Sequence, residues 1–340
     1  MKNIIRVVSL FSGIGAFEKA LKNIGVEHEV LNYCEIDKFA SCAYSVLHQV
    51  PEVKNLGDIS KVKTESISEF DLLTYGFPCQ DISLAGNMKG IIKGETRSGL
   101  LFEALKIIHD KKPKYAIAEN VKNLVSKRFE SDFKAMLDEL DELGYNSYWK
   151  VLNAKDYGSY QSRERVFIVS IRKDVDNGKF IFPEPIENKC AITDILETNI
   201  DEKYYCSGNY IKDFVRKSHK KLVDNKERSK FGLLKVGDIN KPTMREMNKR
   251  VFSPEGLSPT LVTGSDSIPK FVECRVRKLT PLESWRATGF TAEDFLKVRE
   301  TLENRFYKGN DRSDTQMYKM AGNSISVEVL EAIFRQLFYM

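Results

Sequence analysis

Asp71-Leu72-Leu73-Thr74-Tyr75-Gly76-Phe77-Pro78-Cys79-Gln80 is the stretch whose reading decides the fold. A run that reads as a buried strand leads straight into Phe-Pro-Cys-Gln. Open α/β sheets bind ligands just past the carboxyl ends of their strands, and the run puts a cysteine there. A second strand ends in a similar way, at Ala118-Glu119-Asn120-Val121. A thiol and a carboxyl group are thus expected in one crevice, a pairing suited to nucleophilic chemistry on an electron-poor ring.

Outward from this stretch, residues 4 to about 172 alternate short apolar runs with helical patterns. Ile4 to Phe11 reads as a buried strand and Phe17 to Ile24 as a helix stopped by Gly25. His28 to Cys34 is a second strand, and Lys38 to His48 a helix with Pro51 just past its end. Beyond Asp71 to Gly76 come a helix over Ser98 to His109 and a strand over Tyr115 to Ala118. A helix over Phe129 to Leu143, closed by Gly144, precedes strands over Tyr148 to Asn153 and Arg165 to Arg172. Strands alternating with helices predict an α/β fold with a mostly parallel, doubly wound sheet. From about 183 to 275 the sequence turns polar, basic and irregular, with Pro183, Pro185, Pro242, Pro254, Pro259 and Pro269. It reads as a second, smaller domain with few regular elements. Helical patterns return over Thr280 to Thr288 and in the amphipathic Ser326 to Phe338, which is expected to pack back beside the first strand. The expected domains are 1–182 completed by 276–340, with 183–275 between them.

With 340 residues, 42% hydrophobic and 30% charged, the chain is a soluble globular mix that can bury a full core. No apolar run approaches the ~20 residues of a membrane span. Met1-Lys2-Asn3-Ile4-Ile5-Arg6 lacks the layout of a signal peptide. Cys34, Cys42, Cys79, Cys190, Cys206 and Cys274 form no C-x-x-C pair, which with only four histidines argues against a metal site or disulfide framework. Reduced thiols in the cytosol are expected. The net charge of +5 is uneven: residues 207–250 hold thirteen Lys or Arg against five Asp or Glu. A basic segment on a nearly neutral body suggests a polyanion partner, although a solvated charged surface would look the same.

Three constellations carry chemistry. In Leu10-Phe11-Ser12-Gly13-Ile14-Gly15-Ala16-Phe17, a strand feeds a glycine turn that opens a helix, and Gly13 and Gly15 let backbone approach a ligand. Glu35, at the end of the next strand, stands where an acid binds ribose hydroxyls in nucleotide-type folds. A dinucleotide fingerprint would need glycine at position 18; Glu18 there would repel a pyrophosphate and suits a nucleoside cofactor without phosphates, such as S-adenosylmethionine. Gly57-Asp58-Ile59 offers another acid, or simply a helix cap. The second constellation is Cys79 with Glu119. A lone cysteine is more often a small buried hydrophobe, but Pro78, Gln80, Asp81 and Ser83 make these surroundings polar. The glycine-punctuated stretch after them reads as a mobile loop over a substrate. The third is Gln161-Ser162-Arg163-Glu164-Arg165, whose alternating arginines point to one side. They suit a carboxylate, phosphate or carbonyl oxygen, or a structural salt bridge.

In this order the pieces resemble the DNA (cytosine-5)-methyltransferase family, of the bacterial or phage restriction-modification type, over nearly the whole chain. The cofactor loop resembles Phe11-Ser12-Gly13-Ile14-Gly15, the ribose acid Glu35 and the adenine contact Asp58-Ile59. Pro78-Cys79-Gln80, Glu119-Asn120-Val121 and Gln161-Ser162-Arg163-Glu164-Arg165 follow. Arg277-Lys278-Leu279-Thr280-Pro281 with Gly289-Phe290, then Gly322-Asn323-Ser324, complete the series. Two fillings depart from it: Ile36 where relatives often carry an aromatic over the adenine, and Ser284-Trp285-Arg286.

The resemblance implies a Rossmann-like S-adenosylmethionine-dependent sheet, with S-adenosylhomocysteine as product and no metal. It implies a Cys79 thiolate attacking carbon 6 of a flipped-out cytosine, with Glu119 on ring nitrogen 3 and the exocyclic amine. Arg163, and less surely Arg165, would hold the carbonyl oxygen and orient Glu119. Phe11, Gly13, Gly15, Glu35, Ile36, Asp58, Ile59, Pro78, Asn323 and Ser324 would hold the cofactor. Residues 183–275 would be the target recognition domain. Gln80, Ser83, Arg97, Arg250, Thr260 and Leu261 are its implied DNA contacts together with the loop, and base edges would be read from 230–249 and 262–272. Implied too are double-stranded DNA as partner, a restriction endonuclease of the same site, a monomer, no membrane, and the cytoplasm of a bacterial or phage-infected cell. A tRNA cytosine methyltransferase shares fold and mechanism, but normally has a much smaller recognition domain. A nicotinamide-dependent oxidoreductase shares only the sheet, and an inactive DNA-binding relative would lose Cys79, Glu119 or Arg163.

Overall fold

The computed structural model describes residues 4–78, 82, 91, 98–224, 232–272 and 275–339. Its elements run β1 Ile5–Leu10, α1 Ala16–Asn23, β2 His28–Cys34, α2 Lys38–His48, β3 Leu72–Tyr75, α3 Leu101–Lys111, β4 Tyr115–Val121, α4 Glu130–Glu142 and β5 Tyr145–Asn153. Then come β6 Gln161–Ser162, β7 Glu164–Arg172, α5 Asn209–Asp224, β8 Lys235–Asp238, α6 Glu246–Lys249, β9 Arg250–Phe252, β10 Ser258–Pro259, β11 Lys270–Val272 and β12 Val276–Lys278. Four helices close the series: α7 Pro281–Arg286, α8 Ala292–Phe306, α9 Asp314–Asn323 and α10 Val327–Tyr339. By contacts the chain forms two units, 1–152 with 164–184 and 330–340, and 153–163 with 185–329.

The first unit is built on a six-stranded sheet in the order β2-β1-β3-β4-β7-β5. β1 pairs in parallel with β2 and β3, and β3 with β4, while β7 runs antiparallel to β4. Strands covered on both faces read as continuous apolar runs, and all four residues of β3 are buried. The core around them includes Leu73, Tyr75, Phe77, Leu105, Ile108, Ala116, Phe133 and Ile168. Each large side chain so buried contributes about 1.5–3 kcal/mol. α10 does return to the first unit: Phe334 meets Phe17 edge-on at 6.3 Å, and the Tyr339 hydroxyl donates to the Ile24 carbonyl at 3.0 Å.

The second unit is more regular than its composition suggests. β12, β11, β9 and β8 form a four-stranded sheet, and Phe214 of α5 belongs to the core beside it. β6 pairs in parallel with β10, Gln161 opposite Ser258. The division also falls elsewhere than expected, because α7, α8 and α9 pack within this unit. Trp285 is fully buried, donates from Nε1 to the Met317 carbonyl (3.0 Å) and meets Phe290 and Phe295 edge-on.

Candidate active site

Parallel register aligns the functional edge. Leu10 pairs with Cys34 and with Tyr75, and Tyr75 pairs with Ala118. The next residue on each strand is therefore Phe11, Glu35, Gly76 or Glu119, and these follow one another along the carboxyl edge. Strand order reverses direction between β1 and β3, which makes this the topological switch point.

On the β1–β2 side the backbone is held in an uncommon shape. Phe11 has φ 54°, Gly13 φ 56° and Gly15 φ 77°. Ser12 fixes the turn by donating its hydroxyl to the Ser9 carbonyl (2.9 Å) and its N–H to the Cys34 carbonyl (3.0 Å). Open space surrounds the position of a side chain at Gly13, so ligand can come close there. Gly15 is glycine for a different reason: a Cβ would lie 2.1 Å from His48 Nε2, which donates to the Ile14 carbonyl. Glu35 accepts from the Gly13 N–H at 2.9 Å and the Asp37 N–H at 2.7 Å. Burial pushes its carboxyl up from the ordinary value, and those N–H bonds oppose the rise. Asn55 secures the same residue through its peptide, accepting from the Glu35 N–H and donating to the Glu35 carbonyl.

Glu18, expected to face a ligand, is instead fully buried. Burial, with Glu18 second, holds the Tyr44 phenol well above its usual pKa, which puts the carboxylate against α2. Asp58 accepts from the Ser60 N–H and hydroxyl and so caps a short turn that buries Ile59. Those bonds hold its carboxyl below the usual range. Ile36 is 79% exposed, an apolar surface beside Glu35.

On the β3–β4 side, the Asn120 amide donates to the Phe77 carbonyl (3.0 Å) and the Ser98 hydroxyl to the Pro78 carbonyl (2.8 Å). The backbone leading to Cys79 is thereby tied to two other elements. Glu119 Oε1 pairs with Arg165 Nε at 2.9 Å, with the two side chains 12% and 17% exposed. This is a diagonal cross-strand contact, since Glu119 lies opposite Phe167 and Val121 opposite Arg165. Sequence reasoning put Arg163 first in this role; the arginine on Glu119 is Arg165. Cys79, Gln80, Ser83 and Arg97 lie outside the described residues.

A carboxylate oriented by an arginine, on the same sheet edge as a ribose-type acid, suits addition chemistry on a heterocyclic base. The family profile described as C-5 cytosine-specific DNA methylase matches residues 5–339. The chain belongs to this family. It is 33% identical to the Orphan methyltransferase M.SPBetaI of Bacillus phage SPbeta, covering 98% of each chain. It is 32% identical to the Type II methyltransferase M2.ScrFI of Lactococcus lactis subsp. cremoris, covering 98% of this chain and 99% of that one. The solved Entamoeba histolytica methyltransferase EhMeth has the same fold, with TM-score 0.72, 18% identity and 99% and 98% of the two chains covered.

The second unit of this DNA (cytosine-5)-methyltransferase holds its remaining motif residues. Arg163 is buried and donates from Nη1 to the Leu261 carbonyl and from Nη2 to the Gly322 carbonyl, each at 3.2 Å. The Thr260 hydroxyl donates to the Ser162 carbonyl at 2.7 Å. Leu261, expected to face DNA, has its side chain 2% exposed in the unit's core. Arg250 and Asn323 are exposed, and Ser324 is buried. Asn55 and Ser98 were missed by sequence reasoning. An asparagine two residues before Gly57 and a serine opening a helix carry no signal of the backbone atoms they hold.

Proposed function

We propose that this methyltransferase modifies carbon 5 of a flipped-out cytosine in a short duplex DNA sequence, through a covalent adduct between Cys79 and carbon 6. The observation that carries the reading is the alignment of Phe11, Glu35, Gly76 and Glu119 along one sheet edge. S-adenosylmethionine fits this edge: Gly13 leaves open space, and Glu35 offers its unused lone pairs to a ribose diol. Phe11, Gly13, Gly15, Glu35, Ile36, Asp58, Ile59, Pro78, Asn323 and Ser324 are the residues that would hold it. When bound, it supplies an electrophilic methyl group on a sulfonium.

The residues then act in sequence. The Cys79 thiolate adds to carbon 6, and the ring electrons move to carbon 5. Glu119 accepts from the exocyclic amine and gives a proton to nitrogen 3, neutralising the negative charge that develops on the ring. Arg165 fixes Glu119 and presents cationic N–H groups toward the ring oxygen. After methyl transfer, loss of the carbon 5 proton lets the Cys79 thiolate depart and restores the ring. The family is one of DNA methylases, which supports DNA over the RNA alternative. Among the described residues no helix is long and apolar enough to cross a membrane. We place the work of the enzyme, as a single subunit, on DNA in the cytoplasm of a bacterial or phage-infected cell. A partner endonuclease is tested by asking whether host extract cuts unmethylated DNA and spares the methylated form.

Mapping 5-methylcytosine across the genome of a methylation-free bacterial host tests the function. The chain should methylate one short motif almost everywhere, and Cys79→Ser should methylate nothing while still binding cofactor. Normal turnover by the variant would refute the covalent route.

A further inference from the structure

Gln161 and Arg163 grip the backbone of Leu261 from both sides, and the Thr260 hydroxyl donates to the Ser162 carbonyl between them. The Leu261 N–H donates to Gln161 Oε1 at 3.3 Å, and the Leu261 carbonyl accepts from Arg163 Nη1 at 3.2 Å. Side chains rather than a strand partner thus satisfy both polar groups of one peptide residue. Gln161 is itself anchored, donating from Nε2 to the Ala287 carbonyl at 3.0 Å. The other arm of Arg163 reaches the Gly322 carbonyl, at the end of α9.

Gly322 is the second, independent sign of a built junction. A Cβ there would lie 2.4 Å from the Val262 carbonyl carbon and 2.6 Å from the Thr263 nitrogen, so the end of α9 is pressed against the Val262–Thr263 backbone. Asn323 and Ser324 follow directly. Arginine is the residue for this place: its planar fork reaches two carbonyls at once, and lysine offers a single ammonium on a flexible stem.

We propose that Arg163 is a positioning residue that joins the Thr260–Leu261 segment to the Gly322-Asn323-Ser324 turn, and so couples DNA binding to cofactor binding. The inference rests on the methyltransferase reading, in which the Thr260–Leu261 segment belongs to the DNA recognition region and Asn323 and Ser324 to the S-adenosylmethionine site. Any movement of the recognition segment on DNA is passed through one guanidinium to the carbonyl that precedes Asn323.

The test compares the full-length chain with Arg163→Lys and Arg165→Lys, using S-adenosylhomocysteine and sonicated genomic DNA free of 5-methylcytosine. In the parent, saturating DNA should tighten S-adenosylhomocysteine binding by about fivefold or more. Arg163→Lys should bring that ratio close to unity and raise KM for DNA about tenfold, with kcat falling by less than about threefold. Arg165→Lys should keep the ratio and lose kcat by about a hundredfold. A merely destabilised chain would melt earlier with the ratio intact, which would overturn the proposal. So would an Arg163→Lys variant that keeps the ratio and loses kcat as Arg165→Lys does. Gly322→Ala, which presses on the same backbone, should reproduce the Arg163→Lys pattern. A parent chain with no methyl transfer at all would instead fail the functional reading.

Discussion

Two arginine–carboxylate pairs, one in each unit, are built from the same chemistry to opposite ends. Arg277 and Glu283 are 1% and 0% exposed, and their guanidinium and carboxylate meet twice, at 2.8 and 3.0 Å. Glu283 also accepts from the Thr280 and Glu197 N–H groups, so its lone pairs are spent on the fold. Glu119 and Arg165 meet at one ionic contact, remain partly exposed and lie at an open sheet edge. Glu119 Oε2 faces Gly76, where a Cβ would stand in ordinary van der Waals contact at 3.7 Å. A saturated pair fixes a structure; a pair with lone pairs in reserve can receive a substrate.

The sharpest way to break this contrast is to remove one partner of each pair. Glu283→Ala removes the carboxylate that offsets the Arg277 charge in the core, and should cost about 3–5 kcal/mol of stability in urea unfolding. An unchanged urea midpoint with lost activity would erase the distinction. Glu119→Gln keeps the shape and loses the carboxyl group's capacity to pass a proton to the ring. It should reduce kcat by about 10²–10³-fold, with the unfolding midpoint close to that of the parent. A fold as damaged as that of Glu283→Ala would make the open pair structural too. A third cluster, at the other end of the sheet, grades the comparison. Asp71 meets Arg6 Nε and Lys114 Nζ, each at 3.1 Å, with both cations about half exposed. Burial raises the Asp71 carboxyl, but Arg6 and Lys114 more than offset that and hold it below the usual range. A depressed folded pKa stabilises above the unfolded carboxylate value and is lost as pH falls through the folded one. Asp71→Asn should therefore cost about 1 kcal/mol or less at pH 7, given solvent screening. The difference from the parent should shrink as pH falls below the ordinary carboxylate range and through the depressed folded pKa; a difference that does not change with pH would point to packing rather than charge.

The first unit was legible because its physics is local. His28 to Cys34 and Lys38 to His48 were read to the residue, since buried strands and amphipathic helices write their periods into the sequence. The four residues aligned along the carboxyl edge follow from strand ends alone. What remained hidden was tertiary. α8 escaped notice among its charges, although Thr291 and Asp294 form a capping box and Phe295, Val298 and Leu302 recur on one face. The sheet of β8, β9, β11 and β12 has strands of three or four residues, too short to show a period. Arg163 and Arg165 alternate as a strand predicts, yet one serves backbone carbonyls and the other a carboxylate. Spacing can give the side of a strand but says nothing of the partner.

The return of α10 to the first unit sets a timetable. Asn23 donates to Glu331 across 308 residues of sequence. At roughly 5–20 residues per second on the ribosome, the apolar face around Phe17 waits about 15 to 60 s before Phe334 is made. In that interval all of residues 185–329 are synthesised. The nascent chain thus completes residues 185–329 before the helix that closes its first unit exists, and the unit begun first is the one finished last.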